Sequence, residues 1–216
     1  MLQPPDGQTA VSCSYALPRT GRPLTRAFDI LFATLGLILL FPLFAAIAVA
    51  IRLDDGGPIF YQQKRVGKCF RLFRIYKFRS MVAGADSQGL LTGPNDKRQT
   101  AVGRTLRRYK LDELPQLFNV LKGDMQLVGP RPEVERYVNA FRSQYEEILL
   151  ERPGLTDPAT LMYRHEEHLF SKEALESEYL ERLLPAKLQL SLEYQKRRGF
   201  WSDLRVLLRT LYAAIS

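Results

Sequence analysis

Several kinds of chemistry are nearly missing from this sequence. Histidine occurs only twice in 216 residues. Both copies sit in His165-Glu166-Glu167-His168, spaced i and i+3. Helical zinc proteases need their imidazoles at i and i+4, and no other ligand stands nearby, so a zinc site is set aside. No Walker motif, Gly-x-Gly-x-x-Gly or Gly-x-Ser-x-Gly occurs, which excludes nucleotide hydrolases of those kinds. Nothing matches a helix-turn-helix, a zinc finger or an RNA-recognition motif, so no nucleic-acid partner is expected. The two cysteines, Cys13 and Cys69, read as free thiols in a reducing compartment.

Charge is absent from one long stretch. Residues 30–51 run 22 positions without a charged side chain. As a helix this stretch is about 33 Å long, enough for a hydrocarbon core of roughly 30 Å. Pro42 stands in its middle; an interior proline removes a donor and clashes with the preceding turn, at about 3 kcal/mol. The flanks carry Arg19, Arg22 and Arg26 on one side and Arg52, Lys64, Arg65 and Lys68 on the other. Basic flanks stay cytoplasmic. A straight span would place one flank outside, whereas a hairpin broken at Pro42 keeps both inside. A re-entrant helix–break–helix is therefore the favoured reading, ahead of a simple span or a buried core helix. A cleaved signal peptide fits poorly, because the apolar run exceeds the usual h-region of about 7–15 residues.

The net charge is +8, which suits anionic headgroups, nucleic acid or phosphorylated small molecules. Residues 52–110 hold 14 Lys and Arg against four Asp, leaving about −2 for the rest. Residues 59–63 and 70–78 read as two strands joined by Arg65-Val66-Gly67-Lys68. Residues 103–109 read as a short helix. A second helix carries Leu114, Leu117, Phe118 and Leu121 on one stripe, with Pro115 in its first turn and Gly123 past its end. Asp112 and Glu113 then stand at a helix start, where the backbone favours negative charge. Arg26 and Asp29, at i and i+3, can pair at headgroup level. Val128-Gly129-Pro130-Arg131-Pro132-Glu133 reads as a rigid turn presenting one arginine, and residues 151–158 as a second proline-rich turn. Residues 173–197 are helical and charged. Residues 200–211 form either an interfacial helix with Trp201 at headgroup level or a packing helix.

Adjacent acids are common and cap helices more often than they catalyse. Here cations flank them, and a membrane segment brings lipid near. Two carboxylates with Mg²⁺ suit phosphoryl chemistry on a diphosphate, and one carboxylate can form an acyl-phosphate.

The motifs named so far, with Arg26-Ala27-Phe28-Asp29, Gly57-Pro58-Ile59-Phe60-Tyr61-Gln62-Gln63-Lys64-Arg65-Val66-Gly67, Lys77-Phe78-Arg79-Ser80-Met81, Arg108-Tyr109-Lys110-Leu111-Asp112-Glu113-Leu114-Pro115-Gln116, Gly123-Asp124-Met125 and Arg152-Pro153-Gly154-Leu155-Thr156, resemble the bacterial sugar transferase family, the monotopic phosphoglycosyl transferases. The resemblance implies an α+β, mostly helical fold. A re-entrant membrane helix (residues 24–52) follows a flexible tail (1–23). A small cytoplasmic catalytic domain (53–170) with a short β-hairpin comes next, and C-terminal helices (171–216) close the chain. It further implies transfer of a sugar-1-phosphate from a UDP-sugar to polyprenyl phosphate with release of UMP, on the cytoplasmic face of the bacterial inner membrane, beginning a surface glycan. Asp112 and Glu113 would be the catalytic pair and the Mg²⁺ ligands. Lys77, Arg79, Arg131 and Arg108 would bind substrate phosphate, and Pro130, Pro132 and Glu133 would form the nucleotide- and sugar-binding turn. Many members place Ser-Pro at the membrane break; this chain has Phe41-Pro42, so proline alone must make the bend. Inner-leaflet lipids are expected partners, and homo-oligomerisation stays open. The rival class is a non-enzymatic, membrane-anchored scaffold, which needs neither carboxylate.

Overall fold

The computed structural model describes residues 23–89, 91–93, 96–164 and 175–215. Cys13, the tail around it, and His165 and His168 lie outside the described residues. The apolar run forms two helices, α1 (Pro23–Leu39) and α2 (Phe41–Asp55), meeting at 59°. Pro42 falls in the first turn of α2, where its missing N–H takes nothing from the ladder. The backbone stays bonded across the break, Leu40 N–H donating to Gly36 O at 2.9 Å and Phe44 N–H to Leu40 O at 2.9 Å. Proline is thus sufficient for a sharp bend without a serine beside it. Among the described residues no single helix is long and apolar enough to cross a membrane; α1 and α2 reach that length only as a bent pair.

One face of this pair is core. Ala33 is fully buried, and a Cβ on Gly36 would stand 3.2 Å from Leu117 Cδ1. Ile47 and Ile51 pack with Phe78 and Leu106. The other face leaves Leu31, Leu35, Leu39, Phe41, Val49 and Leu53 exposed. The expected pairing of Arg26 with Asp29 gives way to something firmer. Arg26 donates to the carbonyls of Val120 (2.7 Å) and Leu121 (3.0 Å). Asp29 accepts from Leu127 N–H at 3.2 Å. Each side chain thus satisfies backbone groups about a hundred positions further along the chain.

Strands β1 (Phe60–Val66) and β2 (Leu72–Phe78) form the expected antiparallel hairpin, running from Phe60↔Phe78 to Val66↔Leu72. The turn lies further along the chain than 65–68. Val66 is buried in the core and keeps its pairing, so reversal waits for Gly67 and a 3₁₀ turn, Lys68–Phe70, with Cys69 and Phe70 at φ 54° and 59°. Cys69 is disulfide-bonded, not the free thiol expected from the sequence.

The chain continues with α3 (Ala101–Arg108), whose first turn is capped by Thr100 Oγ1 accepting from Gly103 N–H at 3.0 Å. Helix α4 (Gln116–Lys122) ends at Gly123, φ 88°. Next come β3 (Gln126–Val128), α5 (Glu135–Ala140), α6 (Arg142–Ile148), β4 (Gly154–Thr156) and α7 (Pro158–Met162). The two proline-rich turns prove to be held together, because β3 and β4 pair in parallel. A Cβ on Gly154 would lie 2.1 Å from Gly129 N, so only glycine permits this approach. The last segment holds α8 (Leu175–Glu178), a wide π turn (Tyr179–Leu183), α9 (Leu184–Arg197) and α10 (Phe200–Ile215). Arg198 fastens α10 to the core through Val128 O (2.6 Å), Glu151 (2.6 Å) and Asp203 (2.9 Å). Helix α10 packs through Val206 while Trp201, Leu208, Leu211 and Tyr212 stay exposed. It is a packing helix that also presents an apolar face. The fold is mostly helical with a small hairpin, as read from the sequence.

Candidate active site

The acidic pair does not begin α4 itself. It occupies a separate 3₁₀ turn, Leu111–Glu113, entered through Lys110 in the left-handed region at φ 56°. That conformation costs an L-residue roughly 1–2 kcal/mol. Leu111 and Leu114 anchor the turn in the cluster formed with α2 and α3, so packing of its apolar neighbours fixes where the two acids point.

The acids differ sharply. Glu113 accepts from Lys77 Nζ at 3.0 Å and from Arg131 Nη1 at 2.9 Å, and Arg131 Nη2 completes a two-pronged clasp. Asp112 is 3% exposed, and its Oδ1 is buried without a hydrogen-bond partner among the described residues. Burial pushes the Asp112 carboxyl up, with Lys77 opposing and Glu113 adding to the rise. The advantage that a helix start gives to negative charge is therefore outweighed at Asp112, where desolvation is the largest influence. Burial alone would raise Glu113 too, but Arg131 and Lys77 outweigh it and hold that carboxyl well below the usual range. Burial lowers the Lys77 ammonium, against the pull of Glu113.

The other residues singled out by sequence scatter. Lys77 and Arg131 reach the dyad. Arg79 does not: its guanidinium is held by Asp55 at the end of α2 and by Pro58 O at 2.6 Å. All three of its nitrogens are engaged there, so it ties α2 to β2 instead of meeting a phosphate. Arg108 is exposed and lies over the Tyr109 ring at 5.7 Å. Its neighbour Arg107 takes the inward place. Pro130 O receives Gly154 N–H at 2.9 Å and Pro132 O receives Arg65 Nη1 at 3.2 Å, so the prolines hold Arg131 in position. Glu133 accepts from Arg65 (3.0 Å) and Tyr179 OH (2.8 Å). Pro42 sits at the break.

Two cavities share cations around the dyad; Glu113 lines one of them, and the buried Asp112 is not among the lining residues of either. A polar one of about 140 Å³ is walled by Arg65, Lys77, Arg107 and Glu133 with Tyr137 and Tyr179. A larger cleft of about 240 Å³ is walled mainly by Leu111, Leu114, Leu155, Leu161, Tyr163 and Leu211, and Glu113 also lines it. Lys110, Arg131 and Arg164 line both. Sequence reasoning missed Lys110, Arg107, Arg65 and Arg164 as lining residues; Lys110 and Arg65 lay inside quoted motifs, the basic excess of residues 52–110 was the available signal for the first three, and Arg164 lies outside it.

The site's class is thus a carboxylate pair flanked by cations, Glu113 opening on an apolar cleft and Asp112 buried beside it, in a chain that also bears a bent apolar helix pair. The chain belongs to the bacterial sugar transferase family, whose profile matches residues 20–216. It is 37% identical over 194 residues to a UDP-N-acetylgalactosamine-undecaprenyl-phosphate N-acetylgalactosaminephosphotransferase of Aeromonas hydrophila, covering 87% of this chain and 43% of that protein. It is 35% identical over 205 residues to the UDP-glucose:undecaprenyl-phosphate glucose-1-phosphate transferase of Escherichia coli K12, covering 92% of this chain and 42% of that protein. Against the exopolysaccharide production protein ExoY of Sinorhizobium fredii the identity is 36% over 172 residues, 72% of this chain and 76% of the relative. The chain thus spans less than half the length of the first two.

Proposed function

We propose that this chain transfers a sugar-1-phosphate from a UDP-sugar to polyprenyl phosphate, releasing UMP, with Asp112 as nucleophile. The observation that carries this reading is the asymmetry of the dyad. Two adjacent carboxyls placed in opposed environments take different tasks. Glu113 is held ionised by two cations; Asp112 keeps an oxygen with no partner. A scaffold gains nothing from an orphaned buried carboxylate, which costs about 1–3 kcal/mol.

An Asp112 oxygen attacks the β-phosphorus of the donor. The bond from that phosphorus to the bridging oxygen breaks, and its electron pair leaves on UMP. The phosphosugar is then held on Asp112 as an acyl-phosphate. An oxygen of the lipid phosphate attacks the same phosphorus, the bond to Asp112 breaks, and the carboxylate is restored. Lys77, Arg107 and Arg131 meet the charge that develops on phosphorus-bound oxygens. Because its own oxygens are clasped, Glu113 acts first by holding Arg131 and Lys77 in place.

The residues present fit Mg²⁺. Asp112 offers a hard oxygen with no hydrogen-bond partner among the described residues, and Glu113 is its neighbour in the chain. That suits an ion that keeps waters and takes one or two carboxylates plus substrate phosphates. Asp112 would hold it, with Glu113 joining only by exchanging one of its cations, and it would neutralise charge on the donor diphosphate.

The bent pair α1–α2 is read as lying re-entrant in the inner leaflet, with both basic flanks in the cytoplasm. The many exposed apolar side chains on the pair support this. With Cys69 disulfide-bonded, those flanks alone carry the cytoplasmic placement. Membranes supplied with radiolabelled UDP-sugar and Mg²⁺ should pass label into the lipid phase and release UMP. An Asp112→Asn variant with undiminished turnover would remove Asp112 as nucleophile.

A further inference from the structure

We infer that the apolar cleft beneath α10 receives the first isoprene units of the polyprenyl phosphate acceptor, with its phosphate at the cationic end shared with the polar cavity. This rests on the transferase reading above and assigns that reaction a separate acceptor site. The cleft and the polar cavity have opposite chemistry but share the cations Lys110, Arg131 and Arg164. A charged, hydroxyl-rich nucleotide sugar loses hydrogen bonds against Leu155, Leu161 and Leu211. A branched hydrocarbon chain ending in one phosphate matches both the walls and the cationic end. Leu211 lines the cleft yet is 62% exposed, beside Leu208 and Tyr212 on the apolar face of α10. A chain leaving the cleft at Leu211 therefore meets an apolar surface. The Thr156 and Thr210 hydroxyls on the wall lie 2.8 Å apart, and Thr210 Oγ1 donates to Val206 O at 2.9 Å, so both are engaged within the protein and leave the cleft surface greasy.

The two half-reactions separate this idea from the reading beneath it. Leu211→Glu puts a charge on the cleft wall at an exposed position; Leu208→Glu puts the same charge on the same helix, at a residue that does not line the cleft. Leu211→Glu should raise the acceptor KM by about tenfold or more, the loss expected for one buried leucine-sized contact. Leu211→Glu should lower single-turnover UMP release without acceptor far less than it raises the acceptor KM, and Leu208→Glu should keep the wild-type acceptor KM. Equal acceptor effects from both variants, no effect from either, or a rise in donor KM alone would overturn the assignment. As a check needing no variant, a polyprenyl phosphate bearing a photoreactive group on its first isoprene unit should label peptides containing Leu155, Leu161 or Leu211. Labelling at Tyr137 or Tyr179 instead would place the lipid in the wrong cavity. A wild-type protein that releases no UMP, with or without acceptor, would defeat the transferase reading itself.

Discussion

Replacing Asp112 with Asn should make the protein inactive and more stable. The wild-type carboxyl is 3% exposed, its Oδ1 has no hydrogen-bond partner among the described residues, and burial pushes its proton affinity up. A buried polar atom left without a partner costs about 1–3 kcal/mol, and more when charged. An amide of the same shape removes the charge but keeps some unmet hydrogen-bonding capacity, so a gain of about 1–2 kcal/mol is expected at neutral pH. For a chain of this size that corresponds to roughly 2–8 °C in Tm.

The pH dependence makes this test specific. The folded state holds the Asp112 proton more tightly than the unfolded chain does. Between the ordinary aspartate value of 3.8 and the raised folded value, the folded state binds more protons, so the Asp112 contribution to stability falls as pH rises through that window. The cost is fully present above the window and absent below it. Thermal melts of the detergent-solubilised protein, followed by Trp201 fluorescence without Mg²⁺, should show the Asn variant ahead at neutral pH. Its lead should shrink as the wild-type acid protonates. UMP release should fall to background. An Asn variant that melts below wild type at neutral pH, or whose lead does not change with pH, would refute the argument that Asp112 is strained by its burial.

Other consequences follow from the same geometry. Lys110→Gly should relieve the left-handed backbone and stabilise by about 0.5–1 kcal/mol, yet raise the KM for a substrate phosphate; the two effects are read by melting and by UMP release. Arg131→Lys keeps the charge but loses the two-pronged clasp on Glu113, and kcat should fall about 10²-fold with an unchanged circular dichroism spectrum. Arg79→Met should cost about 2–3 kcal/mol in stability, because it breaks a largely buried pair with a part-exposed partner. The donor KM of Arg79→Met should stay at the wild-type value; a raised donor KM with an unchanged melt would return Arg79 to the phosphate site.

What could be read from sequence was local. The charge-free run and Pro42 mark α1 and α2; the Leu114, Leu117, Phe118 and Leu121 stripe and Gly123 mark α4. The acidic pair stands out because it lies among cations. The misses share one physical cause, dependence on contacts distant in sequence. Strands β3 and β4 are three residues each and pair across 28 positions through two glycines, so no local periodicity announces them. Glu113 finds its partners 36 and 18 residues away. Arg107 and Arg108 are adjacent in one basic run. The burial of Leu106, on the same helix, goes with Arg107 lining the polar cavity and Arg108 standing exposed. Asp112 looked like a helix-start acid until its burial was known.

The anchoring contacts also bear on how the site meets a lipid. Helices α1 and α2 do not hang from the catalytic half by a linker. Arg26 caps α4 and Asp29 bonds Leu127, Gly36 lets α1 close on Leu117, and Asp55 and Arg79 bind the far end of α2 to β2. Helix α4 follows the acidic turn directly, and β2 supplies Lys77. The elements gripping the apolar pair are therefore the ones that build the site. A hinge would let the site's depth wander; these contacts hold it fixed relative to the apolar helices. Positioning two reactants in one frame can lower a barrier by several kcal/mol, and an error near 1 Å can cost about 10²-fold. Loosening this grip, as Asp29→Asn would by weakening the acceptor for Leu127 N–H, should therefore lower transfer to a membrane-embedded acceptor more than it lowers UMP release to water. Equal losses in both assays would mean that depth is set elsewhere.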